Sequence, residues 1–82
     1  MDNDKTVRDA FLDTVVNQIE KGDPPDAKAT FERLTGAGQS RSQALHHIAA
    51  ALRTEMNRML AESTPFDQKR YSALLAKIPS ES

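Results

Sequence analysis

The chain has 82 residues, no cysteine and nearly balanced charge, with eleven lysines and arginines against twelve aspartates and glutamates. This length accommodates one small domain, and the lack of thiols excludes disulfides, cysteine-bound zinc and thiol catalysis. A net charge of −1 argues against a generic binder of nucleic acid or anionic membranes, and no apolar run approaches the ~20 residues that span a bilayer. The N-terminus, MDNDKTVRDA, is too acidic and polar for a signal peptide, so we expect a cytoplasmic protein.

The first predicted helix carries one apolar stripe. Its members recur every four residues: Val7, Phe11, Val15 and Ile19. That spacing is typical of an amphipathic helix with one buried face. Asn3 or Asp4 can cap its start, and Gly22 is expected to end it.

A second, shorter helix is predicted from the start and stop signals on either side of it. Asp23 can act as the N-cap, and Pro24 suits the first helical position because its missing N–H would have no partner there. The apolar face of this helix would contain Ala27, Phe31 and Leu34. Gly36 and Gly38 then interrupt the helical pattern.

The third predicted helix is the longest. Ser40 and Gln43 have the spacing of a capping box, in which each side chain bonds the backbone N–H of the other residue. The apolar positions that follow keep a spacing of mostly three or four: Leu45, Ile48, Ala49, Leu52, Met56, Met59 and Leu60. Nothing in the pattern ends this helix before about Ser63.

A fourth helix is predicted after a segment that contains proline. Either Thr64 or Asp67 could be its N-cap, and Pro79 is expected to stop it. Its apolar face would contain Tyr71, Leu74, Leu75 and Ile78.

The whole pattern predicts an all-α fold, a compact bundle of about four helices with a long central third helix. Short loops favour antiparallel neighbours, and no segment alternates apolar and polar residues as a strand does. We expect a single helical domain over residues 4–79, with frayed ends at residues 1–3 and 80–82.

The adjacent residues His46 and His47 suggest a metal site at first sight. Neighbouring residues on a helix point in different directions, and neither histidine has the partner four residues away that a helical metal site needs. His46 lies at the edge of the apolar stripe and is expected to pack at a helix interface, while His47 faces water. Ser40 is explained as a helix cap rather than a nucleophile, so we expect no enzyme, no metal and no cofactor.

Residues 31–48 have the outline of a helix-turn-helix, which is a DNA-binding unit. In this alternative, Arg41, Ser42 and His46 would read DNA from the first turns of the third helix. The charge argues against it, because glutamates offset the arginines of the same helix, whereas tight DNA binders use about 6–10 phosphate contacts. Nucleic acid is therefore not an expected partner.

The function favoured by the residues is a small helical interaction module that binds a second copy of itself or a partner helix. The long amphipathic helix is difficult to cover completely in so short a chain, and uncovered apolar surface is typical of an interface. The expected partner face consists of Leu52, Met56, Met59 and Tyr71. We expect a protein partner or a homodimer, and no membrane.

The stretch from Gly38 to Leu75 resembles a family of small uncharacterised bacterial helical proteins. That family has a glycine, one residue and a serine or threonine, followed by an Ala-x-His-x-Ile helix and a later Phe-Asp-x-x-x-Tyr helix. Here the motifs read Gly38-Gln39-Ser40, Ala44-Leu45-His46-His47-Ile48 with a later Glu55, and Phe66-Asp67-Gln68-Lys69-Arg70-Tyr71. Gln39 departs from the pattern, because the family has an apolar residue there. The resemblance implies a helical fold and a bacterial cytosolic source, but no activity.

Overall fold

A computed structural model describes the backbone of residues 3–80 and the side chains of residues 9–80. Four α-helices follow one another in this range: α1 (Asn3–Lys21), α2 (Pro25–Gly36), α3 (Arg41–Glu62) and α4 (Gln68–Lys77). The predicted all-α fold with a long third helix is confirmed, and the described backbone contains no strand. None of these helices is both long and apolar enough to cross a membrane. The caps predicted at Asn3 or Asp4, the packing of Val7 and most of the expected frayed ends lie outside the described side chains.

The junction between α1 and α2 is fixed by a glycine and two prolines. Gly22 ends α1 as predicted, with a φ of +65° and a backbone N–H that donates to the carbonyl of Ile19 at 3.2 Å. The prediction of Asp23 as the cap and Pro24 as the first residue of α2 is wrong, because the helix begins at Pro25. Pro24 occupies the N-cap position with an extended backbone, since a proline ring disfavours the helical region for the residue before it.

The predicted capping box at the start of α3 is confirmed. Ser40 Oγ accepts the N–H of Gln43 at 3.1 Å, and Gln43 Oε1 accepts the N–H of Ser40 at 2.9 Å. The helix then continues to its C-cap, Ser63, which adopts the left-handed conformation with a φ of +53°. Local hydrogen bonds between near neighbours therefore set where this helix begins.

Replacing Ser40 with alanine should lower the free energy of unfolding by about 1 kcal/mol, because the N–H of Gln43 loses its acceptor. Urea unfolding followed by far-UV circular dichroism measures this loss. Ser42→Ala, within the first turn of the same helix, is the matched control and should lose no stability from capping. An equal loss in both variants would show that the cap is not responsible.

The start of α4 resolves the choice between the two predicted caps. Asp67 is the N-cap, and its Oδ1 accepts the backbone N–H groups of Lys69 at 2.9 Å and Arg70 at 3.3 Å. Thr64 lies earlier in the loop, where its N–H donates to the carbonyl of Met59 at 3.1 Å. The aspartate therefore orients the first turn of α4 and the loop that precedes it.

The core lies where α1 and α4 pack on the α2–α3 pair. Its buried apolar members are Val15, Ala27, Leu34, Ala44, Ile48, Ala49, Ala51, Leu52, Tyr71 and Leu75. Several of these positions are alanines, and Ala27 of α2 and Ala44 of α3 have no exposed surface at all. Such small side chains allow neighbouring helices to approach closely without leaving voids.

The glutamine that departs from the family pattern is buried at the α2–α3 turn. The side-chain amide of Gln39 donates to the carbonyls of Pro79 at 3.2 Å and Ser80 at 3.0 Å. Arg33 of α2 adds a hydrogen bond to the carbonyl of Leu75 at 3.1 Å. The segment after α4 is thereby attached to the turn before α3, which an apolar side chain at position 39 could not do.

Candidate functional site

Charged side chains converge where α3 meets α4. Glu55 of α3 has no exposed surface, and Arg70 of α4 forms two hydrogen bonds with it. Arg70 Nε donates to Glu55 Oε1, and Arg70 Nη2 donates to Glu55 Oε2, both at 3.0 Å. Arg70 Nη1 also donates to Glu62 Oε1 at 3.1 Å. This bidentate geometry compensates the charge of a buried carboxylate, which would be strongly destabilising without a partner.

The same carboxylate holds the loop between the two helices. The backbone N–H of Asp67 donates to Glu55 Oε2 at 3.1 Å. Hydrogen bonds from Arg70, with a further contribution from the Asp67 N–H, outweigh burial and lower the pKa of Glu55 below its ordinary value. The hydrogen bond to Glu55 in turn raises the pKa of Arg70 above its ordinary value. Glu55 is therefore charged at neutral pH and connects α3 to both the loop and α4.

Large apolar side chains at the end of α3 and in the loop that follows it are partly or largely exposed to solvent. Leu60 in the last turn of α3 is 71% exposed, and Phe66 in the following loop is 38% exposed. Met59, one helical turn beyond Glu55, is half-buried. We call Met59, Leu60 and Phe66 the α3–α4 surface. Large apolar side chains that remain exposed near the junction of two helices are candidates for an interaction site.

Tyr71 forms the buried support of Phe66. The two rings meet edge-on with their centroids 5.7 Å apart, and Tyr71 has no exposed surface. The Tyr71 hydroxyl donates to Gln18 Oε1 of α1 at 2.8 Å. Burial raises the pKa of Tyr71 to about 12, so this hydroxyl remains protonated and able to donate at neutral pH. Phe66 is thus supported by a side chain that is fixed to α1 as well as to α4.

The four residues of the predicted partner face occupy different environments. Leu52 and Tyr71 are buried in the core of the same chain, and Met56 packs against that core. Met59 is partly exposed at the α3–α4 surface. The two most exposed large apolar side chains in the described range, Leu60 and Phe66, were not included in the predicted face.

The residues of the alternative DNA-reading site are exposed at the start of α3. The guanidinium carbon of Arg41 lies 5.5 Å from the centroid of the Phe31 ring, a cation–π contact with α2. The expectation that His46 packs at a helix interface is wrong, because the side chain is exposed and its Nδ1 lies 2.7 Å from the carbonyl oxygen of Ser42. His47 is exposed, as predicted. The three candidates lie at the same end of α3.

Two further acidic side chains, Glu62 and Asp26, have partners within the chain. Glu62 pairs with Arg58 at 3.5 Å in addition to its bond from Arg70. Asp26 of α2 accepts a hydrogen bond from the Ser72 hydroxyl and so connects α2 to α4. Within the described residues, no group of three or more side chains is arranged to hold a metal ion.

Comparison with known proteins identifies the family. Three similar proteins are named exodeoxyribonuclease 7 small subunit; they come from Aliivibrio fischeri strains MJ11 and ATCC 700601 / ES114 and from Aliivibrio salmonicida strain LFI1238. Each is 47% identical to this chain over 62 residues, and the match covers 68% of the chain and 74% of the relative. The chain belongs to the exodeoxyribonuclease 7 small subunit family. No protein-family model and no solved structure matches it.

Membership of the exodeoxyribonuclease 7 small subunit family corrects the function expected from the sequence. Two predictions are wrong, because the relatives are named as components of a DNA exonuclease. One was a general interaction module that binds itself or a partner helix, and the other was a helix-turn-helix DNA-binding protein. The predicted resemblance is confirmed only in its general form, as a resemblance to small bacterial helical proteins. The finer link between this family and the Gly-x-Ser and Phe-Asp motifs stays a prediction.

The word "subunit" in the relatives' name agrees with the expected protein partner. An exodeoxyribonuclease acts on DNA, so the expectation that nucleic acid plays no part does not fit these relatives. The name does not assign the catalytic groups to one subunit, and the expectation that this chain is not itself an enzyme stays a prediction.

Glu55 is the buried residue whose role the sequence did not reveal, since it was named only as a position of the resembled family motif and as one of the charges of α3. It was treated as a charge that offsets the arginines of α3, yet it is fully buried. Its position contained a signal, because Glu55 follows Ile48 by seven residues and Leu52 by three, which places it on the apolar stripe. A charged residue on such a stripe requires a buried partner.

Proposed function

We propose that this chain is the small subunit of a bacterial exodeoxyribonuclease and that it acts by binding the larger subunit rather than by supplying catalytic groups. The observation that carries the proposal is the 47% identity to proteins named as exodeoxyribonuclease 7 small subunits. The name small subunit implies that a larger subunit is present to which it binds. The cytoplasmic location expected from the sequence is consistent with a bacterial enzyme that acts on DNA.

The structural roles of the acidic residues support an assembly function. Glu55 accepts hydrogen bonds from Arg70 and Asp67, and Asp67 itself caps α4. Glu62 is shared between two arginines, Arg58 and Arg70. Carboxylates committed in this way stabilise the fold and are poorly placed to bind a catalytic metal or to activate water.

The α3–α4 surface is the part of the chain that we assign to the larger subunit. Leu60 and Phe66 present apolar area to solvent, and aromatic anchors of this kind contribute much of the energy of protein interfaces. Phe66 is supported from within the chain, because its ring packs edge-on against Tyr71 and the next residue, Asp67, is hydrogen-bonded to Glu55. A partly buried aromatic ring on a fixed support loses little conformational entropy on binding.

Replacing Leu60 with aspartate should weaken binding to the larger subunit at least about tenfold, because a desolvated charge would replace an apolar contact. The measurement is isothermal titration calorimetry of the small subunit with the larger exodeoxyribonuclease 7 subunit of the same bacterium. His47→Asp is the matched control. His47 is exposed on the same helix, about 20 Å along its axis from Leu60, and its replacement should leave the affinity unchanged.

The outcomes distinguish an error in the proposed function from an error in the proposed interface. If the wild-type chain does not bind the larger subunit, the proposed function is wrong. If the wild-type chain binds and Leu60→Asp binds equally well, the function stands and the α3–α4 surface is not the interface. Circular dichroism of both variants checks that the helical content is unchanged.

A further inference from the structure

The loop that carries Phe66 is attached to the protein interior through one peptide group. The N–H that Glu55 accepts belongs to Asp67, so it is the N–H of the peptide bond that follows Phe66. A peptide group is planar and includes the α-carbons on both sides of it. Fixing this N–H against Glu55 therefore also fixes the α-carbon from which the Phe66 side chain projects.

Glu55 is itself held firmly enough to serve as an anchor. It has no exposed surface, and both of its oxygens accept hydrogen bonds from Arg70 at 3.0 Å. Oε2 additionally accepts the Asp67 N–H at 3.1 Å. The carboxylate thus accepts three hydrogen bonds: two from Arg70 orient it, and the third comes from the N–H of Asp67 in the loop.

Stability alone does not account for a buried carboxylate at this position. Replacing a buried ion pair by apolar residues of similar volume is often neutral or stabilising. A methionine at position 55 could fill the same space, but it would offer no strong acceptor to the N–H of Asp67. The pair provides a defined position for the loop, which simple apolar packing does not.

We infer that Glu55 is a positioning residue for the subunit interface, acting through the Phe66–Asp67 peptide to present Phe66 against Tyr71. This inference rests on the proposed function, since the interface it serves is the one proposed for the larger subunit. Glu55 itself is buried and does not contact the partner. Its contribution to binding passes through the orientation of the Phe66 ring, whose centroid lies 5.7 Å from that of Tyr71.

The test is a double-mutant cycle on binding to the larger subunit. One change is the paired substitution Glu55→Met with Arg70→Met, which removes the anchor without leaving an unpaired charge. The other is Phe66→Ala. We expect each change to weaken binding about tenfold or more, and we expect the combination to be no weaker than Phe66→Ala alone, because the anchor acts only through the ring.

Two results would overturn the inference while leaving the proposed function intact. One is wild-type affinity in the paired methionine variant, and the other is a combined loss equal to the product of the separate losses. Wild-type affinity in Phe66→Ala would instead remove Phe66 from the interface. If the paired variant does not fold, Glu55→Leu with Arg70→Leu takes its place in the same cycle, because it also removes the acceptor together with its charged partner, and the same criteria apply.

A structural readout accompanies the binding data. Phe66 ring protons are shifted by the ring current of Tyr71, so their NMR chemical shifts report the edge-on contact. We expect these shifts to move toward random-coil values in the methionine variant while the helical circular dichroism is unchanged. Unchanged Phe66 shifts together with weaker binding would also contradict the inference.

Discussion

Replacing Leu34 with alanine should lower the free energy of unfolding by about 2–5 kcal/mol. The side chain has no exposed surface and belongs to the core of the bundle. Its removal loses both the transfer free energy of the buried groups and the contacts around the cavity that remains. A chain of this size has a total stability of about 4–12 kcal/mol, so the substitution should remove a large fraction of the free energy of unfolding at 25 °C. Urea unfolding at several temperatures measures the difference.

Leu60→Ala is the control for this prediction, because it makes the same chemical change on the exposed side of a helix. Leu60 is 71% exposed, so the substitution should change the free energy of unfolding by no more than about 0.5 kcal/mol. Similar losses in the two variants would mean that Leu34 does not lie in a close-packed core. The contrast also provides a stable variant for the binding experiments at the α3–α4 surface.

Replacing Glu55 with alanine should lower Tm by more than about 10 °C. The substitution leaves Arg70 without its bidentate acceptor and leaves the N–H of Asp67 without a partner. The paired methionine variant should retain most of the wild-type Tm, because it removes both charges together. Scanning calorimetry on the three proteins measures the difference, and equal losses in the two variants would contradict this explanation.

The stabilisation by Glu55 should depend on pH in a defined direction. Its folded pKa is lowered from an ordinary value of 4.5, chiefly by hydrogen bonds from Arg70. A lowered folded pKa contributes stability that is fully present above the unfolded pKa and is lost as pH falls through the folded pKa. The Tm difference between the wild type and Glu55→Gln should therefore be largest near pH 7 and should shrink progressively below about pH 4.5. A difference that stays constant down to pH 2 would exclude this titration as the cause.

The helix boundaries could be predicted because their causes are local in sequence. The Ser40–Gln43 box, the left-handed Gly22 and the Asp67 cap all act over a few residues; the first two are present as predicted, and Asp67 is one of the two caps that were predicted for α4. The start of α2 was misplaced by one residue because the first of two consecutive prolines is restricted by the second. This restriction is also local, and the Pro24–Pro25 pair contained the information needed to see it.

The candidate site depends on contacts between distant residues, which periodicity does not specify. Glu55 pairs with Arg70, fifteen positions later, and the loop between them must fold back for the N–H of Asp67 to reach the same carboxylate. The apolar stripe of α3 included both Leu52, which is buried, and Leu60, which is 71% exposed, so the stripe alone did not distinguish them. Exposure depends on where the neighbouring helix ends, which follows from tertiary packing rather than from the stripe.

The buried alanines of the bundle limit how this protein can vary. Ala27 and Ala44 have no exposed surface, and a larger side chain there should be destabilising because it forces its neighbours to shift. A single-nucleotide change in an alanine codon gives serine, threonine, proline, valine, glycine, aspartate or glutamate. Most of these are too large, charged or helix-breaking, and glycine weakens a helix by about 1 kcal/mol. In a mutational scan, these two small residues should therefore tolerate as few substitutions as the large core residues Leu34 and Ile48.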